Sequence, residues 1–132
     1  MREAILLFGG ESILPQLRRA LLPLKVLIRP IPEEEYTCTL DALTGGEKGE
    51  TEPYAGPAFP EPMAVFAGFY GNRMDITLTA LRKAGIRIHR KAVLTATNRQ
   101  WTALALYEEL GREHEAMQQH LRAHRPKEEP KE

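Results

Sequence analysis

Eight glycine, threonine and asparagine residues are the positions in this chain best suited to hold a ligand. Each follows an apolar run that predicts a strand, or begins the helix that comes after it. Glycine lets a ligand approach the backbone closely, and the first turn of a helix offers free N–H groups to an anion. In a doubly wound sheet these positions would share the edge where the strands end. The predicted ligand-binding residues are Gly9, Gly10, Gly68, Gly71, Asn72, Thr95, Thr97 and Asn98.

No known catalytic signature accompanies these positions. Neither G-x-G-x-x-G nor a P-loop is present, and the charge of Glu11 is unsuited to a phosphate neighbour. His120 and His124 share a predicted helix face without a third ligand, so we expect a solvated pair and no metal site. Cys38 has no neighbouring histidine in the sequence, which predicts an inert thiol. The sequence therefore assigns no catalytic residue, leaves open whether the protein is an enzyme, and predicts no cofactor.

Apolar runs separated by glycine and proline predict four strands, each followed by a helix. The strands are expected at residues 4–8, 25–28, 63–69 and 92–94, and the helices at 12–22, 32–43, 74–81 and 98–121. This order predicts an α/β fold with a small, mainly parallel sheet of about four strands, helices on both faces, and a βαβα unit repeated twice. A ferredoxin-like α+β sandwich is the alternative.

A length of 132 residues fits a single domain. We place this domain at residues 1–124, as two halves (1–45 and 62–124) joined by a loop, 45–62, that is rich in glycine, proline and glutamate. Residues 125–132 are highly charged and contain nothing to bury, which predicts a disordered tail.

Charge and hydropathy narrow the class of protein. The chain has 18 Lys and Arg residues and 18 Asp and Glu residues, and a net charge near zero argues against binding to nucleic acid or to an anionic membrane surface. No apolar run approaches the length that spans a bilayer, and the first residues do not resemble a signal peptide. We therefore expect a cytoplasmic protein without nucleic-acid or membrane partners.

The last predicted helix is apolar on two sides, and one of its stripes is longer than a small sheet can cover. A helix of about twenty residues spans about 30 Å, whereas a strand of four or five residues spans about 15 Å. We therefore predict a homodimer, with an interface that contains Leu106, Tyr107, Leu110, His114, Met117 and Leu121. Alternatively, Gly111 breaks the helix and the last segment folds back over its own domain.

The segment KAVLTATNRQW, at residues 91–101, contains the pattern K-A-x-x-T-x-x-N-x-x-W. The matching positions are Lys91, Ala92, Thr95, Asn98 and Trp101. The pattern, with the strand and helix before it, resembles a small bacterial family of domains of unknown function over about residues 63–114. The resemblance implies a bacterial or archaeal cytoplasmic protein, and it implies no particular chemistry.

Two classes of function fit these observations. The preferred prediction is a non-enzymatic interaction or regulatory module that self-associates through its last helix. The alternative is a domain that binds a small molecule or a nucleotide, with or without catalysis, at the carboxyl ends of its strands. An apolar stripe that reaches past the domain favours the first class, and a deep pocket beside Gly68, Thr95 and Asn98 would favour the second.

Overall fold

Four strands form one open sheet in a computed structural model that describes residues 2–46 and 51–124, with side chains as far as residue 120. The strands are β1 (Ala4–Phe8), β2 (Leu27–Ile31), β3 (Met63–Ala67) and β4 (Arg90–Val93). Their order across the sheet is β2-β1-β3-β4. The pairs β1–β2 and β3–β4 are parallel, and the central pair β1–β3 is antiparallel. The predicted α/β class with a mainly parallel sheet of four strands is confirmed.

Helices cover both faces of the sheet, as predicted. They are α1 (Leu14–Leu21), α2 (Leu40–Leu43), α3 (Arg73–Lys83) and α4 (Ala103–His124). Successive side chains of a strand point to opposite faces, so β1 contributes to two cores. Ile5 and Leu7 pack in a core with α1 and α3. Leu6 and Phe8 pack in a second core with α2 and α4.

The order and the directions of the strands are symmetric about the central pair β1–β3. Leu6 lies opposite Val65 at the centre of the antiparallel pair, and each half contributes a parallel strand outside it. β1 and β3 are each followed by a glycine in the left-handed conformation, Gly9 with a φ of 74° and Gly68 with a φ of 80°. Both halves thus have the same order of elements, strand, helix, strand, helix.

Thr39 and Thr102 cap the second helix of each half, α2 and α4. Thr39 Oγ1 accepts a hydrogen bond from the N–H of Ala42 at the start of α2, at 3.2 Å. Thr102 Oγ1 accepts one from the N–H of Ala105 at the start of α4, at 3.1 Å. The two threonines also face each other in an isolated antiparallel bridge. Each half therefore starts its second helix with the same cap, and the caps meet.

The two outer strands differ from the prediction in position. β2 begins at Leu27, because Lys25 has a left-handed φ of 59° and ends the 3-10 turn Leu22–Leu24. It continues through Pro30, which an edge strand tolerates since the missing N–H faces no partner there. β4 was predicted at residues 92–94 but begins at Arg90, and it is an edge strand whose Val93 is 46% exposed.

Two predicted helices begin or run differently. The helix predicted at 32–43 is instead a 3-10 turn, Glu33–Glu35, followed by the single-turn α2. Tyr36 lies between them, fully buried in the second core. The last helix was predicted to start near Asn98, but Asn98–Gln100 is a 3-10 turn and Trp101 is extended, so α4 starts after Thr102.

The segment between the halves packs on the second core through its aromatic residues. Residues 51–62 contain no helix or strand, yet Phe59 is buried. Its ring stacks between Tyr36, at a centroid distance of 4.3 Å, and Tyr107, at 3.8 Å. Tyr54 stacks on the far side of Tyr36 at 5.6 Å. We refer to Tyr54, Tyr36, Phe59 and Tyr107 as the aromatic column.

Residues 47–50 and the predicted disordered tail, 125–132, lie outside the described residues. Within the part that is described, no helix is both long enough and apolar enough to cross a membrane.

Candidate functional site

A groove runs along the edge of the sheet between β4 and α4, with a cavity volume of about 310 Å³. One wall comes from β4 and the turn that follows it, and the other comes from the second and third turns of α4. We name it the β4–α4 groove. Its lining residues are Lys91, Ala92, Thr95, Thr97, Asn98, Trp101, Leu106, Glu109, Leu110 and Glu113. All five residues of the sequence pattern K-A-x-x-T-x-x-N-x-x-W are among them.

The turn after β4 is built by reciprocal hydrogen bonds between Thr95 and Asn98. The N–H of Thr95 donates to Asn98 Oδ1 at 2.8 Å, and the N–H of Asn98 donates to Thr95 Oγ1 at 3.0 Å. Asn98 Nδ2 also donates to the carbonyl of Val93 at 3.0 Å. The threonine and the asparagine of the pattern therefore satisfy backbone groups that the end of the strand leaves free, which is a structural role.

Trp101 joins this turn to the other half of the domain. Its carbonyl accepts a hydrogen bond from the N–H of Leu40 at 2.9 Å, and its indole packs on the second core while remaining partly exposed to the groove. Arg99 Nε donates to Asp41 Oδ1 at 2.9 Å across the same junction. The groove is thus fixed to α2 as well as to β4, so its shape depends on both halves.

The charged groups of the groove lie around an apolar floor. Leu106 is only 2% exposed, and Leu110 packs beside it. Lys91 stands on the β4 side, where its ammonium donates to the carbonyl of Ile88. Glu109 and Glu113 stand on the α4 side. Arg112 Nη2 donates to Glu109 Oε1 at 2.6 Å, and this hydrogen bond raises the pKa of the arginine.

The structure separates the predicted ligand-binding residues into two groups. Because β1 and β3 are antiparallel, their carboxyl ends lie on opposite sides of the sheet. Gly9 and Gly10 therefore lie beside one set of strand ends, and the residues that follow β3 and β4 lie beside the other. The prediction that all eight share one edge is therefore wrong, since it assumed that every strand runs in the same direction. Thr95, Thr97 and Asn98 do line the groove, and ligand binding by them stays a prediction.

The remaining predicted ligand residues have other surroundings. Gly68, Gly71 and Asn72 follow β3 at the same edge as Thr95, but they do not line the groove. Gly9 packs against the aromatic column, because a Cβ atom placed on it would lie 3.5 Å from Phe59 and 3.7 Å from the hydroxyl of Tyr36. These contacts give Gly9 a packing role.

The predicted interface residues divide between the core and the solvent. Leu106 is buried, and Tyr107 and Leu110 are partly covered by their own domain. His114 and Met117 are exposed, and Met117 is 57% accessible. The side chain of Leu121 lies outside the described residues.

The last helix continues through Gly111 and projects beyond the domain. α4 is one helix of 22 residues, about 33 Å long, and every residue from 112 to 120 is exposed. Gly111 does not break it. Instead, a Cβ atom at this position would lie 2.7 Å from Arg90 Nη2, so the glycine makes room for the arginine side chain.

Arg90 completes the aromatic column and was not singled out by sequence. Its guanidinium carbon lies 4.1 Å from the ring centroid of Tyr107, a cation–π contact, and its Nη1 pairs with the carboxylate of Glu61. The N–H of Glu61 donates to the Tyr107 hydroxyl at 3.2 Å. The two contacts of Glu61 join residues 29 and 46 positions apart, and no local pattern in the sequence indicates such pairs.

Tyr36, which lies inside the aromatic column between Tyr54 and Phe59, has a strongly raised pKa. Burial raises the pKa of its phenol to about 12, and the negative charges of Glu33 and Glu11 add to the effect. Its hydroxyl has no hydrogen-bond partner among the described residues. The phenol therefore stays protonated at neutral pH, and its ring serves the packing of the column.

No metal site is formed by the described side chains, in which no three His, Cys, Asp or Glu residues come together. His89 and His114 approach each other, with 6.1 Å between ring centroids, but they form only a pair. Cys38 is partly buried, with its Sγ 3.9 Å from Thr51 Oγ1.

Comparison with known protein families gives a match for residues 62–117. Neither a curated protein nor a solved structure matches the chain. The matched family covers one of the two halves, namely β3, α3, β4 and the part of α4 that lines the groove. The resemblance to an uncharacterised domain family is confirmed, because residues 62–117 match the family described as "Domain of unknown function (DUF3783)".

Proposed function

We propose that this protein is a non-enzymatic interaction module that forms a homodimer, in which the projecting part of α4 of each copy lies in the β4–α4 groove of the other. One observation carries the proposal: residues 112–120 belong to a continuous helix, are all exposed, and include an apolar side chain at Met117. A helix that extends into water without a partner gains little from packing, which is the main source of helix stability in proteins.

The groove and the projecting helix form one continuous strip. Leu106, Leu110, Glu113 and Met117 follow one another at spacings of four, three and four residues, which places them on the same side of α4. The inner part of the strip lines the groove, and the outer part carries Met117. Two antiparallel copies of α4 would therefore bring the outer part of each strip to the inner part of the other.

A second copy of the chain fits this surface better than an unrelated partner does. An isologous contact requires that the covering part and the covered part belong to the same surface, and here both lie on α4. The groove offers apolar area at Trp101 and Leu110, with charges of both signs around it at Lys91 and Glu113. Because the net charge of the chain is zero, two copies do not repel each other through their overall charge.

The test compares Met117→Glu with the matched variant Gln119→Glu, which adds the same charge on the opposite side of the helix. Sedimentation equilibrium should give a dimer for the wild type and for Gln119→Glu. For Met117→Glu we expect the dissociation constant to rise at least about tenfold, because a carboxylate would be buried without a partner. Trp101 is the single tryptophan, so its emission should shift to shorter wavelength as the dimer forms on concentration.

A monomeric wild type at high micromolar concentration would refute the proposal. A Met117→Glu dimer as tight as the wild type would place the interface elsewhere. If concentration changes the mass but not the Trp101 emission, the two copies do not cover the groove.

A further inference from the structure

A second cavity, with a volume of about 410 Å³, lies on the other face of the sheet at the amino end of β4. It is bounded by the end of α3, the segment that leads into β4, and Lys91. We name it the basic pocket. Its lining residues are Leu78, Leu81, Arg82, Gly85, Ile86, Arg87, Ile88, His89 and Lys91.

The floor of the basic pocket is part of the first core. Leu81, Ile86 and Ile88 are all buried and belong to the cluster formed by α1, α3 and the central strands. Leu78 packs against the same cluster and is partly exposed. A floor held in a packed core keeps its shape, so an apolar ligand would enter a surface that already exists.

The rim carries three permanent cations and a histidine, with no carboxylate in the lining. The chain as a whole has equal numbers of acidic and basic residues, so this segregation does not follow from composition. Lys91 donates to the carbonyl of Ile88, and Arg82 donates to Thr79 Oγ1 at 3.3 Å. Within the described part of the chain, neither these two side chains nor Arg87 forms an ion pair.

Unpaired cations above an apolar floor favour a ligand that has both an apolar body and an anionic group. The floor favours an aliphatic or aromatic body, and the rim favours a carboxylate or sulfonate group, whose oxygens accept charge-assisted hydrogen bonds from arginine and lysine. The volume lies within the range of about 300–1,000 Å³ that is usual for small-molecule sites. We propose that the basic pocket binds a small amphipathic acid, free in solution, with its anionic group at Arg82, Arg87 and Lys91.

This site is separate from the β4–α4 groove and from the ligand site predicted by sequence. It lies at the amino end of β4, whereas Thr95, Thr97 and Asn98 follow its carboxyl end. Lys91 lines both cavities and is therefore unsuitable for a test that must distinguish them. Arg87 lines only the basic pocket and is exposed, so its replacement leaves the core intact.

The fluorescent sulfonate 8-anilinonaphthalene-1-sulfonate is a suitable probe, because it joins an aromatic body to one negative charge. We expect the folded protein to bind it at one site, and octanoate to displace it while octylamine does not. Arg87→Gln should weaken binding about threefold, and Arg82→Gln with Arg87→Gln about tenfold or more. The matched variant Arg18→Gln removes an exposed arginine of α1 outside the pocket and should bind as the wild type does.

Three results would overturn the proposal. One is equal binding by the wild type and the double variant, which would place the probe elsewhere. Another is displacement by octylamine as effective as displacement by octanoate, since the rim would then have no preference for an anion. The third is sedimentation of the wild type, but not the double variant, with phosphatidylglycerol vesicles, which would assign the pocket to a membrane lipid instead of a free acid.

Discussion

At the scale of single residues, the pattern K-A-x-x-T-x-x-N-x-x-W corresponds to residues that build and anchor the turn after β4. Thr95 and Asn98 close the turn after β4, Trp101 anchors it to α2, and Lys91 stands at the sheet edge between the two cavities. Residues of this kind attract attention in a sequence because they are polar and closely spaced. Here the same spacing is what a reciprocal side-chain to backbone turn requires, so the pattern alone does not indicate catalysis.

Asn98 should therefore contribute measurably to stability. Asn98→Ala removes the two hydrogen bonds of the side chain at a partly exposed site, and we expect the free energy of unfolding to fall by about 1–2 kcal/mol in urea titrations. Asn98→Asp keeps the acceptor for Thr95 but loses the donor to Val93, so its cost should be smaller. Thr97→Ala, in the same turn, should change stability by less than about 0.5 kcal/mol. An Asn98→Ala protein as stable as the Thr97→Ala protein would contradict the structural role of the turn.

The sequence located several of these residues without revealing their surroundings. Thr95 and Asn98 could be identified as turn-forming, because their short polar side chains bond nearby backbone groups and the signal is local. Arg90, Glu61 and Phe59 could not, since their roles depend on Tyr107 and on a fold that brings distant segments together. The basic pocket was missed for the same reason, because its cations belong to α3, to the segment before β4 and to β4 itself.

At the scale of elements, prediction succeeded where the pattern was both local and strong. β1 was placed at its observed bounds, because an apolar run that ends in a left-handed glycine leaves little choice. The helix predicted at 74–81 is observed as α3, Arg73–Lys83, because its apolar residues have helical spacing. Gly85, with a left-handed φ of 74°, follows its end. The helix predicted at 32–43 was too long, since only Leu40–Leu43 forms α2. The burial of Tyr36 and the hydrogen bond from the N–H of Leu40 to the carbonyl of Trp101 override the local preference for a longer helix.

Gly111 shows how a residue that weakens an isolated helix can be required by its neighbours. Alanine in place of glycine normally stabilises a helix by about 1 kcal/mol. Here the new Cβ atom would displace the guanidinium of Arg90 from its place beside Tyr107 and Glu61. We expect Gly111→Ala to be nearly neutral in the wild type and stabilising by about 1 kcal/mol in an Arg90→Ala background. A double-mutant cycle from urea unfolding measures this coupling, and equal effects in both backgrounds would show that the two residues are independent.

At the scale of the whole molecule, the family match covers one of two units that have the same order of strands and helices. Residues 62–117 contain a βαβα unit, and the first half has the same order of elements across the antiparallel pair β1–β3. The order of β and α elements could be predicted from sequence, but the antiparallel centre could not. Both directions of the central pair satisfy the same apolar pattern, because β1 and β3 are buried on both faces.

The symmetry predicts the behaviour of the second half alone. A fragment of residues 62–124 keeps β3, α3, β4 and α4 but loses β1, so the inner edge of β3 and the face of α3 that packs on α1 are uncovered. A sheet of two strands is at best marginally stable in water. A second fragment can take the place of the missing half, with β3 pairing antiparallel to its copy and Val65 opposite Val65, as Leu6 lies opposite Val65 in the intact chain.

We therefore expect the fragment to be unfolded when dilute and a folded dimer when concentrated. The fragment should carry Met117→Glu, so that the contact proposed for α4 does not contribute. Circular dichroism and sedimentation equilibrium over a concentration series should show helix content and mass rising together. Val65→Pro removes a backbone donor from the central pairing and should abolish both changes. A fragment that folds as a monomer would show that β3 needs no partner at its inner edge, and one that stays unfolded at every concentration would show that the two halves are not interchangeable.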